Sequence, residues 1–327
     1  MNWRGLTQIL GLLVALLCLF FGFAFLLSLY HKEGFLSVRN IETIFRQSTP
    51  VCIAALGMTL VIMSAGIDLS IGSLVAFVSV AVAWCLNANF TPHVAILGGL
   101  ASGLAFGLFN GLLVSRLKVG PFIVTLATML VARGAAKGLA NEQKIDAPLT
   151  WINDLLSTLD SNEKWRLFPN GVWVMVVLAF LSHFFLTKTR FGRYVVAVGS
   201  NERAALYSGI SVDRVKLAVY ALMGLFAGFA GIMMFSRLSV GDPTTAQGFE
   251  LSVIAAVVIG GASLSGGTGS ILGSLLGALI MATINAGCSQ LGMANWIQEM
   301  ITGGIIVISV LLDRVRIGRK RLATAKL

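Results

Sequence analysis

The chain has 327 residues, of which 57% are hydrophobic and only 12% charged. A soluble domain carries roughly 25% charged residues, so the surplus apolar surface here must face lipid. These figures, with a mean hydropathy of +0.87, exclude a soluble enzyme fold, a disordered chain and a disulfide-stapled secreted domain.

Leu6–Leu29 is an uncharged run of the length, about 20 residues, that a spanning helix needs. It is longer than a signal-peptide core and leads into Tyr30-His31-Lys32-Glu33, so it is expected to persist as a helix. Further spans are expected at 51–65, 70–86, 93–114, 121–140, 170–187, 215–236, 250–263, 270–290 and 297–312, ten in all. Val51–Ala65 is short, about 22 Å at 1.5 Å per residue, against a hydrocarbon core of about 30 Å. The runs 51–65 and 70–86 either both span or form one re-entrant hairpin. Short, glycine-interrupted segments are common where a transporter keeps its pathway.

Between those two runs lies Ala65-Gly66-Ile67-Asp68-Leu69-Ser70-Ile71-Gly72-Ser73. Asp68 and Ser70 suit the opening N–H groups of the next helix, and Gly66 suits the turn. An ionisable residue this close to the bilayer core is also a candidate for gating or coupling. Downstream, Gly99, Gly103, Gly107 and Gly111 recur every four residues, as do Gly269, Gly273 and Gly277, and Gly224 with Gly228. Such stripes let backbones approach closely in lipid, within one bundle or at a subunit interface. Asn110, Arg133, Glu250, Asn285, Gln298 and Glu299 lie in or at the ends of spans. Burying charge in hydrocarbon is costly, so these residues should face a polar pathway or one another, Arg133 against Glu250 or Glu299.

The loop after the sixth apolar run contains Ser200-Asn201-Glu202-Arg203-Ala204-Ala205-Leu206-Tyr207-Ser208-Gly209-Ile210-Ser211. Ser200 or Asn201 can cap a short helix, Glu202 suits its first turn, Gly209 its stop, and Ser211 the start of the next span. Its apolar residues on a polar loop suit docking of a cytoplasmic partner or rest on lipid headgroups. Leu264-Ser265-Gly266-Gly267-Thr268 evokes an ATPase signature, but the chain has no G-x-x-x-x-G-K-[ST] and no soluble segment for a nucleotide fold. It reads as a tight turn that echoes the first motif, through Gly66/Gly261, Leu69/Leu264, Ser70/Ser265 and Gly72/Gly267.

With the N-terminus in the cytoplasm, fifteen Lys and Arg fall inside and seven outside, while Arg133 and Lys137 lie within a span. The inside set includes Arg116, Lys118, six residues of 188–216 and six of the basic tail 313–327. This bias places both termini in the cytoplasm. It also accounts for the net charge of +10 without nucleic acid. The four cysteines, Cys18, Cys52, Cys85 and Cys288, stand apart in apolar runs and read as core residues, not metal ligands. No catalytic constellation is present. The expected architecture is an all-α polytopic bundle forming a single transmembrane domain, 1–327.

Over residues 40–312 the chain resembles the permease subunits of bacterial ABC sugar importers, the ribose/xylose/arabinose/galactose group, and ribose-type permeases most closely. The stretches that carry the resemblance are GMTLVIMSAGIDLSIGSL (57–74), PFIVTLATMLVARG (121–134), TRFGRYVVAVGSNERAALYSGISVDRVKLAVY (189–220) and GFELSVIAAVVIGGASLSGGTGSILGSLLGALI (248–280). The resemblance implies a multi-pass inner-membrane subunit forming half of a central pathway. Its partners would be cytoplasmic ATPases that use the ATP, a periplasmic sugar-binding protein, and a second permease copy or paralogue. The chain itself would bind no cofactor. The segment 200–211 looks like the family's ATPase-contacting element. Ser252 stands where the family usually has Asp, a departure at the outer end of the pathway. Two rival readings are a non-sugar ABC permease and a gradient-driven transporter; the lack of paired buried carboxylates counts against the second.

Overall fold

The computed structural model describes the backbone of residues 3–32, 34–159 and 167–324. The elements run α1 (Trp3–Leu29), α2 (Val38–Met63), α3 (Ile71–Asn87), α4 (Pro92–Ser115), α5 (Pro121–Leu139), β1 (Ile145–Asp146), a 3-10 turn (Asn153–Leu155), α6 (Asn170–Lys188), α7 (Arg190–Ser200), α8 (Glu202–Tyr207), α9 (Val212–Leu238), β2 (Val240–Gly241), α10 (Phe249–Ile259), α11 (Ile271–Gln290) and α12 (Asn295–Thr324). The side chains of the basic tail 313–327, and Lys164 and Arg166, lie outside the described residues.

The chain is a helical bundle. Among the described residues seven helices are long and apolar enough to cross a membrane, and three more are apolar but shorter: Ile71–Asn87, Phe249–Ile259 and Asn295–Leu311. One expectation needs correction. The short run 51–65 is only the end of α2, whose 26 residues reach about 39 Å. Hydropathy hid its first half because Asn40, Glu42 and Arg46 sit there. Each has found a partner: Asn40 donates to Phe35 O at 2.7 Å, Glu42 accepts from Leu159 N–H at 2.9 Å, and Arg46 donates to Leu156 O at 2.8 Å. A polar residue satisfied this way can enter a span.

α2 runs through the middle of the bundle, buried from Ser48 to Pro50 and from Cys52 to Met63. Around it pack α9, α11, α10 and α6. α1 lies outside this ring against α11; Leu27 is buried there with Phe35 and Ala286, while Leu10, Val14, Leu17 and Phe21, with Cys18, stay exposed. The expectation of a core Cys18 therefore fails.

The glycine stripes are intramolecular. A Cβ on Gly103 would sit 2.5 Å from Gly224 O, and one on Gly107 would sit 2.8 Å from the Gly224 Cα. α4 and α9 thus meet backbone to backbone, in the most extensive helix contact of the bundle. With no hydrophobic drive between helices in lipid, this close approach supplies the van der Waals contact.

The bundle has two ends. Loops 116–120, 188–211 and 260–270 share the basic end. Loops 140–159 and 239–248 share the far end, where β1 and β2 pair antiparallel, Ile145 with Gly241 and Asp146 with Val240. The long far-end loop is anchored by buried Ile152 and Leu156. Leu156 N–H donates to Ser236 Oγ at 2.9 Å, and that hydroxyl donates to Asn153 O at 3.1 Å.

Candidate functional site

Two features stand out: a junction at the basic end and a meeting of two short helices inside the bundle. At the junction, α2 ends at Met63, leaving its last carbonyls without helical partners. Gly267 N–H donates to Met63 O at 2.9 Å. Gly267 is left-handed, φ +75, and packs on Ser200, its Cα site 3.0 Å from a Cβ on Gly267. Gly266 abuts Gly199 O and Ala65. Any side chain on Gly199 would collide with Met63 O and with Gly267 N. Three separate sequence motifs therefore meet at one point: 63–66, 199–200 and 264–268.

From this junction the chain runs directly into α8. Asn201 caps it, accepting from Ala204 N–H at 3.0 Å, and Gly209 ends it with φ +82, as expected. Ser211 does not cap α9 with its side chain, contrary to expectation. Ala205 is buried and Ile210 packs on the core, fixing the element to the bundle. Glu202, Arg203, Ala204 and Ser208 face outward. Leu206 is 60% exposed and Tyr207 87%, two large side chains left open on a short element of the basic end. Lys216 pairs with Glu202 at 2.7 Å, and Lys118 pairs with Asp213, so α8, the start of α9 and the 116–120 loop are tied together. A depression of about 740 Å³ beside α8 is lined by Arg116, Lys118, Arg203 and Arg214 together with the carboxylates Glu202 and Asp213.

Just behind the junction is a buried polar chain. Asp68 Oδ1 accepts from Ser70 N–H at 2.8 Å and from its hydroxyl. Asn110 Nδ2 donates to Ser70 Oγ at 3.1 Å, and Thr128 donates to Asn110 Oδ1 at 2.6 Å. The chain thus crosses from the 64–70 turn to α4 and α5. Asp68 bonds the residue before α3, Ser70, and neither Asp68 nor Ser70 makes a side-chain cap bond to the opening N–H groups of α3. The left-handed residue of the turn is Ala65, φ +61, not Gly66. Gly66 is needed for space: a Cβ there would lie 2.6 Å from the Tyr220 hydroxyl. Among the described residues Asp68 Oδ2 and Tyr220 Oη are both buried without a hydrogen-bond partner. The echo between the two motifs does not extend to the backbone, since Gly72 is helical and Gly267 left-handed.

The second feature is inside the bundle. α3 starts after the turn and irregular stretch 64–70, which leads back from the basic end. α10 starts after the loop 242–248 from the far end. The two starts touch, with a Cβ on Gly72 lying 2.6 Å from Ala246 O and 3.4 Å from the Phe249 Cβ. Short helices that begin within the bilayer are a recurrent device of transport pathways. Arg133 holds the 242–248 loop by donating to Pro243 O at 2.8 Å and Thr245 O at 2.7 Å. Glu250 and Asp242 act on Arg133 electrostatically, so Arg133 and Glu250 belong to one cluster, although no salt bridge closes between them among the described residues. Glu299 is exposed on α12 and does not pair with Arg133. Asn285 lines a cavity with Ser252, Arg237, Gln47 and Ser48.

Residues 40–310 match the family model described as branched-chain amino acid transport system / permease component. The chain belongs to this family. It is 38% identical over 282 residues to the ribose import permease protein RbsC of Escherichia coli (strain K12), covering 86% of this chain and 88% of the relative. It is 40% identical over 291 residues to RbsC of Bacillus subtilis (strain 168), covering 86% and 87%. It is 38% identical over 287 residues to the L-arabinose ABC transporter permease protein AraH of Azospirillum brasilense, covering 88% and 83%. No solved structure matches. The protein is a multi-pass permease subunit of an ABC importer.

Sequence reading missed four residues of this candidate site: Tyr220, Gly199, Arg237 and Thr128. Tyr220, Gly199 and Thr128 sit inside the quoted stretches but carry no local signal, because their roles depend on partners about 20 to 150 positions away in the chain. Arg237 was counted only as an outside charge.

Proposed function

We propose that this permease forms one half of the pathway of an ATP-driven importer in the bacterial inner membrane. It takes a monosaccharide from a periplasmic binding protein and is moved by separate cytoplasmic ATPase subunits. The observation that carries this reading is the junction of Met63, Gly199 and Gly267 directly beside the exposed α8. A push on α8 is delivered at once to the end of α2, to the turn before α11 and, through α9, to Tyr220 beside Asp68.

In this reading the basic end faces the cytoplasm, as the excess of Lys and Arg there favours. Both termini are then inside, and the seven long helices and three shorter ones make ten passes within one domain, 1–327. A second permease copy or paralogue completes the pathway. Leu206 and Tyr207 enter the ATPase, and the groove beside α8 receives an acidic element of it. ATP binding by the partners shifts the bundle between outward- and inward-open states through their differential contacts with the two. Gly66, Asp68, Ser70 and Asn110 transmit the motion; Arg133, Glu250 and Asn285 belong to the pathway, and Glu299 to its rim.

The names of the sugar-import relatives support the monosaccharide. The family description names branched-chain amino acids, so a non-sugar polar solute is the second reading. The test is Ala204→Glu or Arg203→Glu, scored for membrane insertion and for energised uptake. Insertion with uptake lost is the expected result; normal uptake would sink the coupling assignment. A gradient-driven transporter would take up solute without any ATPase and would ignore both changes.

A further inference from the structure

Between α2, α9, α10 and α11 lies a cavity of about 250 Å³. Gln47 and Ser48 face it from α2, Arg237 from α9, Thr245 from the loop before α10, Ser252 from α10 and Asn285 from α11. No Asp or Glu is among the residues that line it. The lining mixes these polar groups with Val51, Met234, Phe249 and Met281, and its one charged side chain is that of Arg237.

Arg133 and Arg237 are in opposite situations. Arg133 donates to two carbonyls and lies in the field of Glu250 and Asp242. Among the described residues Arg237 donates one hydrogen bond, to the Met234 thioether at 3.1 Å, and the charge that acts on it is that of Arg46, of the same sign. Arg46 does not relieve it, being bonded to Leu156 O and facing Glu42. The side-chain amides of Gln47 and Asn285 make no hydrogen bond within the described residues. A guanidinium partly withdrawn from water gains from an anion that meets it. Its planar fork matches a carboxylate. One cation balances one negative charge, which favours a carboxylate over a phosphate dianion. The surrounding amides and hydroxyls both donate and accept, as a solute's hydroxyl groups require.

We infer that this cavity binds a small polyhydroxylated carboxylate, a sugar acid, with its carboxylate on Arg237 and its hydroxyls on Gln47, Ser48, Ser252 and Asn285. The inference rests on the permease reading and narrows its solute from monosaccharides in general to acidic ones. Ser252 takes part because it carries no charge: a carboxylate at that position would occupy Arg237 itself.

The test is thermal unfolding of the purified permease in lipid nanodiscs with sodium D-gluconate. D-ribose in sodium chloride of equal ionic strength is the neutral control. Gluconate is expected to raise Tm by about 2 °C or more, and ribose to leave it unchanged. Arg237→Gln should lose the shift and Arg237→Lys keep part of it. Ser252→Asp should lose it with the unliganded Tm intact, which keeps the test valid if Arg237→Gln fails to fold. Equal shifts with ribose and gluconate, a shift that survives in Arg237→Gln, or no shift in the parent protein would each overturn the assignment. Recovery of an ATPase with the permease is scored separately. An ATPase without a gluconate effect overturns the sugar acid and leaves the importer standing; a gluconate effect without an ATPase does the reverse.

Discussion

The N–H of Gly267 donates to the carbonyl of Met63 across 2.9 Å, joining residues 204 positions apart at the basic end of the bundle. Met63 O belongs to the last turn of α2, where carbonyls have no helical partner. Gly267 supplies one, and it can do so because its left-handed backbone, φ +75, turns the amide toward α2. Gly199 fits between them only because it has no side chain. The link makes the end of the central helix sensitive to the position of α7 and α8.

Gly199→Ala is therefore expected to force α7 away from α2 and from the 264–268 turn. Overpacking of this kind costs about 1–3 kcal/mol. Tm should fall and uptake should be lost together. An unchanged Tm would contradict the close contact.

The α4–α9 seam makes a sharper comparison. Gly107→Val should destabilise by about 1–3 kcal/mol or more, since the added carbons meet the α9 backbone. Gly134 on α5 has nothing within 4 Å of its Cβ position. Gly134→Ala should be neutral or stabilising by up to about 1 kcal/mol, as a glycine removed from a helix interior. Equal effects of the two changes on Tm would show that the stripe is not the packing surface.

Tyr220→Phe removes a buried hydroxyl that has no partner among the described residues. Leaving such a group unmade costs about 1–3 kcal/mol, so the phenylalanine protein should be as stable as the parent or more so. Asp68→Ala acts in the opposite direction, because Ser70 N–H and the Ser70–Asn110–Thr128 chain lose their acceptor. Denaturation midpoints of the two variants should bracket that of the parent.

Asp242 gives a pH dependence at the far end. Burial on its own would raise its carboxyl, but the Thr244 hydroxyl and N–H and the Lys144 ammonium outweigh this and hold it below the usual carboxylate range. A group depressed by folding contributes stability above its unfolded pKa, about 3.9. That contribution is lost as pH falls through the lower folded value. Asp242→Asn should thus be less stable than the parent by up to about 1 kcal/mol at neutral pH. The two Tm curves should converge only below about pH 4. A gap that persists unchanged to lower pH would remove the carboxylate from the account.

Much of the fold is legible in the sequence because lipid imposes a simple rule: an apolar run of sufficient length becomes a helix. The runs 93–114, 121–140 and 170–187 match α4, α5 and α6 within two residues at each end. α2 escaped the rule because its first half carries polar residues whose partners, Leu156 and Leu159, lie in a distant loop. The cap of α8 on Asn201 was readable because it is a local bond. The meeting of Gly72 with Ala246, and of Gly199 with Met63, was not. A glycine needed for close approach looks the same in sequence as one needed for a turn, and only the neighbour distinguishes them. Arg133 was seen as a charge needing a partner, but carbonyl partners leave no trace in composition.

The most direct measurement is to extract the protein from its native membrane in mild detergent and identify by mass what accompanies it. An ATPase with a phosphate-binding loop, recovered in equal amount and lost on Ala204→Glu, is the predicted result. Recovery of the permease with no ATPase, even after crosslinking through residues 200–211, would contradict the coupling account.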